Sequence, residues 1–457
     1  MPPCARSDRR PARAVAALAA ACLLAGPAAR AGTWLEDQVL PHDGLDRRFR
    51  VYDPGFAPPE GMPLVFVLHG GGGSMASVTD NGTMAEWPDI ADEYGILLIV
   101  PNGVNPATGD PAGDDQNWND CRADAPAVET GADDVGFVSA LIDRAAARWP
   151  IDPARVYATG ASNGGMMSYR LAFELSDRIA AIAAFIANLP ADSECGEPEH
   201  SVPVFICNGD AEDDYMPWDG GCVKAASGTC RRGTVIAAEA TRDWWIAHLN
   251  TTREPTDMTA FPDLDPSDGS TVESALHDGG FEAAEVAFYR VHGGGHTTPS
   301  IEHHRPAWLL ALLGLGSQNH DIEGAREAWA FLARHRLDEP GAGTAPGIAG
   351  FLRVARTGDG QLRLTFSGDC GSAARSAVYR GDLVAGWDSV APEPGACDLA
   401  GHEALVPEGT RPAEFFVVVP HDGVTEGSYG RESDGTPRPP ATPACLPPGE
   451  PDACAAR

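Results

Sequence analysis

Arg155-Val-Tyr-Ala-Thr159, Gly160-Ala161-Ser162-Asn163-Gly164 and Gly165-Met-Met-Ser-Tyr-Arg-Leu-Ala-Phe173 follow one another without a break. The first is an apolar, strand-like run, the second a G-x-S-x-G pentapeptide and the third a helix-like run. A strand that turns sharply into a helix strains the backbone at the serine and lifts its hydroxyl clear of the sheet. Glycines on both sides keep the tight turn free of Cβ clashes. The pentapeptide alone is weak evidence in a chain with 52 glycines. Its strand-to-helix context makes Ser162 a candidate nucleophile, which then needs a base, an acid and an oxyanion hole.

Outward from this turn, apolar runs alternate with helix-like stretches from Arg48 to about Pro340, the pattern of an α/β fold. Strands are expected at Phe49–Tyr52, Leu64–Leu68, Leu97–Val100, Val156–Thr159, Ala181–Phe185, Val204–Cys207 and Glu285–Val291. Helices are expected at Met84–Tyr94, Asp134–Arg148, Gly165–Leu175, Ile236–His248 and Ile322–Arg336. Several strands are apolar throughout, as in a mostly parallel sheet covered by helices on both faces. This unit is expected to span residues 32–337.

Residues 338–349 are rich in Pro, Gly and Ala and read as a linker. Beyond them, short alternating runs such as Gln361–Phe366 and Glu414–Pro420 sit between turn signals without a long helix pattern, which predicts a small all-β sandwich over 350–433. The proline-rich stretch 434–457 reads as an irregular tail pinned by its cysteines.

Residues 1–31 have the layout of a secretory signal peptide. Arg6, Arg9, Arg10 and Arg13 precede the apolar stretch Ala14–Ala25, and the small-residue site Ala29-Arg30-Ala31 follows. The apolar stretch is too short to span a bilayer, so no stable membrane insertion is expected. An exported chain suits its 11 cysteines, of which Cys4 and Cys22 would leave with the signal. Cys222 with Cys230, Cys121 with Cys195, Cys370 with Cys397 and Cys445 with Cys454 are the expected pairs. Cys207, inside an apolar strand, is the expected free thiol. A formal net charge of −32 argues against nucleic acid as a partner, since phosphates would be repelled.

A base is expected after the last strand candidate, and His296 closes Val291-His-Gly-Gly-Gly-His296, where a glycine loop can carry an imidazole over the sheet edge. His292, His303 and His304 lack such a loop, and His248 sits on a helix pattern. The acid is expected after Val204–Cys207, in a loop with four carboxylates, Asp210, Glu212, Asp213 and Asp214. Spacing alone does not choose among them. Leu64–Leu68 runs into His69-Gly70-Gly71-Gly72-Gly73, a loop suited to present backbone N–H groups to a developing oxyanion, together with the N–H of Asn163. A phosphate loop is excluded because no Lys-Ser/Thr follows the glycines.

With these residues in view, Arg48 to Arg336 resembles the secreted polyhydroxybutyrate depolymerase-like esterases, which are similar to feruloyl and acetylxylan esterases and have the α/β-hydrolase fold. The resemblance is carried by Leu64-Val-Phe-Val-Leu-His-Gly70, Val100-Pro-Asn-Gly103, Trp118-Asn-Asp120, Asp133-Asp-Val-Gly-Phe137, Ile151-Asp-Pro153, Thr159-Gly-Ala-Ser-Asn-Gly-Gly-Met-Met167 and Gly293-Gly-Gly-His-Thr297. It implies Ser162 as nucleophile, His296 as base, and Gly71 and Asn163 as oxyanion donors, with no cofactor and no metal. The family's acid motif resembles Gly-Thr-x-Asp-Pro-x-x-Pro-Tyr, and this chain departs from it by one inserted residue. Counting back from Pro217-Trp218 gives Asp213, whereas counting forward from Gly209 gives Glu212. Asp213 is the preferred reading. Thr298 stands where the family usually has tryptophan.

Trp118, Trp218 and Tyr215 are expected to flank the substrate, an ester of polyhydroxyalkanoate type. The alternatives are feruloyl or acetylxylan esters, or a non-catalytic polymer-binding protein that keeps the fold. Ala377–Asp382, Phe416–Gly423 and Glu426–Arg431 resemble fibronectin type III-like modules, for which a spacer role is expected.

Overall fold

Strands whose residues are apolar at every position must bury both faces, and three such strands, Met62–Leu68, Leu97–Pro101 and Ala181–Phe185, lie among the six at the centre of the main sheet. In the computed structural model the strands are β1 (Thr33–His42), β2 (Leu45–Asp53), β3 (Met62–Leu68), β4 (Leu97–Pro101), β5 (Ile151–Ala161), β6 (Ala181–Phe185), β7 (Val204–Gly209), β8 (Gly221–Lys224), β9 (Cys230–Val235), β10 (Asp257–Ala260), β11 (Thr271–His277) and β12 (Val286–His292). The helices are α1 (Ser77–Asp80), α2 (Trp87–Tyr94), α3 (Asp134–Arg148), α4 (Asn163–Glu174), α5 (Ala238–Leu249), α6 (Ala307–Leu313) and α7 (Gly324–Leu332). The structure describes residues 31–337, apart from 81–83, 126–129, 199, 225–227 and 281–282, and parts of 352–445. The expected signal peptide, the linker and nearly all of the 434–457 tail lie outside the described residues.

The ten-stranded sheet runs β1-β2-β4-β3-β5-β6-β7-β12-β11-β10. From β4 to β12 every neighbour is parallel, while both edges are antiparallel. Alternate residues of the central strands feed two separate cores. Leu64, Phe66, Leu68, Val156 and Ala158 pack with residues of α3, α4 and α5, and Val65, Val67, Leu98, Val100 and Phe205 pack with residues of α2 and α7. That division follows from the two-residue period of a strand. The expected α/β-hydrolase architecture, with a large and mostly parallel central sheet, is the one observed.

Because the central strands are parallel, their C-terminal ends lie at one sheet edge. The turns after β3, β5 and β7 and the loop after β12 therefore gather there, which is the place where open α/β sheets build sites.

The C-terminal region adds β13 (Leu352–Thr357), β14 (Gln361–Phe366), β15 (Arg375–Asp382), β16 (Gly386–Pro392), β17 (Glu403–Pro407) and β18 (Glu414–His421). They form two three-stranded antiparallel sheets, β13-β14-β17 and β16-β15-β18. Leu364 and Val406 of the first share one apolar cluster with Val378 and Val418 of the second, so the sheets face each other.

Cys121–Cys195 and Cys222–Cys230 are disulfide-bonded, and Cys207 is a buried free thiol. The expected Cys370–Cys397 and Cys445–Cys454 pairs are overturned, since Cys397 bonds Cys445 across 48 residues with Cα atoms 5.4 Å apart. Sequence proximity misled here because the two-sheet fold brings Cys445 back to Tyr379 of β15, whose hydroxyl accepts the Cys445 N–H at 2.8 Å.

Candidate active site

The turn between β5 and α4 holds Ser162 at φ 57°, ψ −125°, a conformation that costs a non-glycine residue on the order of 1–3 kcal/mol. It is held from both sides. The Ser162 N–H donates to Phe185 O at 2.9 Å, and the Ser162 carbonyl accepts from Met166 N at 2.9 Å. A Cβ on Gly160 would lie 2.5 and 2.6 Å from Gly164 C and O, so the G-x-S-x-G spacing is the spacing at which this turn closes. Asn163 begins α4, whose first N–H groups have no partner within the helix and carry its positive dipole end.

Asn163 is tied down by its side chain. Its Oδ1 accepts Trp118 N at 2.8 Å, and its Nδ2 donates to Trp118 O at 3.2 Å and Asp120 Oδ2 at 2.7 Å. Asp120 in turn takes Arg122 Nη2 at 2.6 Å and Nε at 2.9 Å, with both side chains buried. Asn119 N donates to Asp134 Oδ2, and Asp134 Oδ1 takes buried Arg47 at 2.6 Å, which joins this loop to α3 and β2. The Trp118-Asn-Asp120 and Asp133–Phe137 motifs are therefore braces behind the nucleophile turn.

The glycine loop after β3 lies against the same turn. A Cβ on Gly71 would sit 3.5 Å from Asn163 Cβ and 2.7 Å from Asn117 Oδ1, so any larger residue would displace the Asn117 amide. Gly72 N donates to Gln116 O at 2.8 Å, and His69 holds the loop's start. His69 Nδ1 donates to Gly70 O at 2.8 Å while its Nε2 accepts Gly103 N at 3.0 Å, a pairing that fixes one neutral tautomer. Burial pushes its pKa from 6.5 down to about 4, only partly opposed by the Gly70 carbonyl, so the ring stays uncharged at neutral pH.

Trp118 does not flank a substrate. Its side chain is 0% exposed, its Nε1 donates to His69 O at 2.9 Å, and its ring lies 4.7 Å from the His69 ring, which makes it packing behind the glycine loop. Trp218 keeps some exposed surface, but the Arg290 guanidinium lies over its ring at 4.6 Å and Phe288 is 6.0 Å away.

Each carboxylate of the loop after β7 has a separate place. Asp210 takes Arg290 Nε and His292 Nδ1 at 2.9 Å and Gly293 N at 2.7 Å, and so anchors the glycine loop that carries His296. Glu212 is exposed, and Asp214 pairs with Lys224 at 2.5 Å. Asp213 Oδ2 lies 2.6 Å from His296 Nδ1, with side chains 5% and 11% exposed. Burial alone would raise the Asp213 pKa. The hydrogen bond and charge of His296, with the N–H groups of Tyr215 and Met216, outweigh it and hold the carboxyl below its ordinary range. Asp213 is thus ionised, and the pairing leaves His296 Nε2 as the ring's outward nitrogen.

The other histidines are engaged elsewhere. His248 stacks on Trp244 at 4.6 Å, His303 faces Asp89 at 3.5 Å, and the His304 ring lies 4.3 Å from that of His320. His296 and Thr297 border an open cavity of about 590 Å³ whose far wall includes Leu309 and Leu310 of α6. Thr298 is buried, and its carbonyl accepts Gln318 Nε2 at 2.9 Å. Away from this region Asp265, Asp268 and His320 gather donor atoms within 4.8 Å, but the two carboxylates and His320 Nδ1 are used in the loop's own hydrogen bonds, while His320 Nε2 is buried without a partner.

No family model matches the chain. Over 282 residues it is 33% identical to "Putative esterase NocK" of Nocardia uniformis subsp. tsuyamanensis, covering 60% of this chain and 76% of that protein. It is 29% identical over 170 residues to the bifunctional acetylxylan esterase/xylanase XynS20E of Neocallimastix patriciarum (37% of this chain, 22% of that protein). It is 26% identical over 174 residues to feruloyl esterase C of Emericella nidulans (37% and 56%). Of these last two the chain thus spans about a fifth and just over half. Among solved structures, the acetyl xylan esterase from Aspergillus awamori aligns with a TM-score of 0.40 at 12% identity, covering 62% of this chain and 99% of that one. A third of positions shared across three quarters of NocK is the extent expected within one family, and the chain belongs to that family of esterases.

Proposed function

We propose that this esterase is a secreted serine carboxylic-ester hydrolase that works through Ser162, His296 and Asp213. His296 Nε2 takes the Ser162 proton as Oγ attacks the ester carbonyl, and the ionised Asp213 stabilises the imidazolium that forms. The N–H groups of Gly71 and Asn163 receive the oxyanion, each such donor contributing about 3 kcal/mol to the transition state. Collapse expels the alcohol with a proton from His296, and water then hydrolyses the acyl-enzyme by the same steps in reverse. The observation that carries this reading is the 2.6 Å Asp213–His296 contact at the sheet edge where the strained Ser162 turn ends.

The preferred substrate is a polyhydroxyalkanoate-type polyester or its oligomers. Beside the cavity that His296 borders, α6 leaves Trp308 69% and Leu312 75% exposed, an apolar surface suited to an aliphatic chain. Feruloyl or acetylxylan esters are the second reading, favoured by the names of the fungal relatives. Export fits the signal-like residues 1–31 and the disulfides, and among the described residues no helix is long and apolar enough to cross a membrane. The C-terminal sheets fit a fibronectin type III-like spacer.

A fluorophosphonate probe should label the folded chain at Ser162, and Ser162→Ala should abolish labelling. Absence of labelling in the folded wild type would sink the enzyme reading. Hydrolysis of peptide amides but not of p-nitrophenyl, hydroxyalkanoate or feruloyl esters would overturn the substrate class.

A further inference from the structure

In a chain with 65 acidic and 33 basic residues, an arginine left without a carboxylate is unexpected. Arg232, at the third position of β9, is such a residue. It is half-buried, and none of its guanidinium nitrogens hydrogen-bonds or ion-pairs with a protein group among the described residues. Its Nη1 lies 3.5 Å from where a Cβ on Gly71 would be, a point that is also 3.5 Å from Asn163 Cβ. The guanidinium thus stands beside the two proposed oxyanion donors. Burial and the charge of Arg122 push its pKa down, with Tyr215 and Asp115 pulling it back. A guanidinium nevertheless stays charged at any physiological pH. Arg122 is no rival for an anion, because Asp120 already occupies its fork.

The backbone around Arg232 is fixed on every side. Cys222–Cys230 clamps the β8–β9 hairpin, and Arg122 Nη1 donates to the Arg232 carbonyl. Thr234 N and Oγ1 donate to Asp124 at 3.0 and 2.7 Å, and Ala191 N donates to Thr234 O at 3.0 Å. A pinned strand that carries an unpaired, partly desolvated cation beside an oxyanion loop has the chemistry of a carboxylate receptor. Asp115, on the Gly72 side, is exposed, so solvent weakens its hold on Arg232.

We infer that Arg232 is a specificity-determining residue that binds a free carboxylate on the substrate, a few bonds from the scissile ester. This rests on the ester-hydrolase reading above and narrows it to acidic esters. The terminal acid of a short hydroxyalkanoate oligomer is the chemistry that fits, which makes oligomer ends preferred over neutral internal positions.

The test compares the 3-hydroxybutyrate dimer as free acid with the same dimer capped as its N-methylamide, following cleavage of the single ester by chromatography. The readout is the ratio of kcat/KM, acid over amide. A charge-assisted bond of this kind predicts a ratio of about 10 to 100 for the wild type, falling towards about 1 in Arg232→Gln and intermediate in Arg232→Lys. Added salt should lower the wild-type ratio and leave that of Arg232→Gln flat. A wild-type ratio near one, or an Arg232→Gln ratio equal to the wild type's, overturns the carboxylate site while p-nitrophenyl butyrate turnover still upholds the esterase. Failure to turn over either dimer or p-nitrophenyl butyrate overturns both readings.

Discussion

The nucleophile side and the acid–base side of the site are built by different means. Around Ser162 the polar groups are buried and fixed by other buried groups: Asn163 is 4% exposed, Asp120 3%, and Trp118 and His69 0%. Around His296 the loops are held at their rims, with Glu212 and Asp214 exposed, Asp213 bonded to the imidazole and the Tyr215 ring 5.4 Å from it. The first side cannot change without disturbing packing, since each buried polar atom depends on another. The second can change its chemistry and keep its fold. Substitutions on the two sides should therefore separate stability from rate.

The largest effect is expected on the acid–base side. Asp213→Asn should lower kcat by about 10³–10⁴-fold, by loss of the imidazolium's partner and its tautomer, with Tm within about 2 °C of wild type. Glu212→Gln, at an exposed position, should change kcat less than about 2-fold. Steady-state kinetics on p-nitrophenyl butyrate and a thermal melt check both, and the reverse ranking would give the acid role to Glu212.

On the nucleophile side, Asp120→Ala strands the Arg122 guanidinium and Asn163 Nδ2 in a buried place. Breaking a buried pair from one side costs about 3–5 kcal/mol, enough to lower Tm by about 6–15 °C in a domain of this size. The kcat of whatever remains folded should fall far less than in Asp213→Asn. A Tm equal to wild type would mean that this network does not brace the turn, and the contrast between the two sides would fail.

The same division decides what was legible in the sequence. The central strands announced themselves because residues such as Leu64–Leu68 and Ala181–Phe185 are apolar on both faces. The edge strands did not. β10 is exposed at every position, and β1 carries a bulge between Leu35 and Gln38, so neither shows a clean two-residue alternation. On the nucleophile side, backbone geometry forces residue types: a Cβ on Gly160 or Gly164 would run into backbone atoms. That turns a fold requirement into a readable motif. The carboxylate facing His296 obeys no such rule, since any of several loop positions meets the spacing, and only three-dimensional proximity separates Asp213 from Glu212. Arg232 and the roles of Trp118, Asn117 and Asp120 were unreadable for the same reason, because their partners lie more than 40 residues away in sequence.

The smallest effect is a pH signature, and it places the two sides in different windows. His69 is buried and neutral, its pKa lowered from 6.5 to about 4 by burial, so between these values the unfolded chain binds a proton that the folded chain refuses. Its contribution is therefore fully present above pH 6.5 and is lost as pH falls towards about 4, up to about 3 kcal/mol in all. Asp213 is held below its ordinary 3.8, so its contribution is present above that value and is lost only as pH falls beneath it. Denaturant midpoints measured from pH 7 to pH 3 should show His69→Gln less stable at neutrality, because Gln cannot reproduce both the Gly70 and Gly103 bonds, but flatter than wild type between pH 6.5 and 4. Asp213→Asn should keep the wild-type slope there and flatten only below about pH 4. If His69→Gln kept the full slope between pH 6.5 and 4, His69 would not be the neutral pin of the glycine loop. The nucleophile side would then owe its rigidity to the Asn163–Asp120–Arg122 network alone.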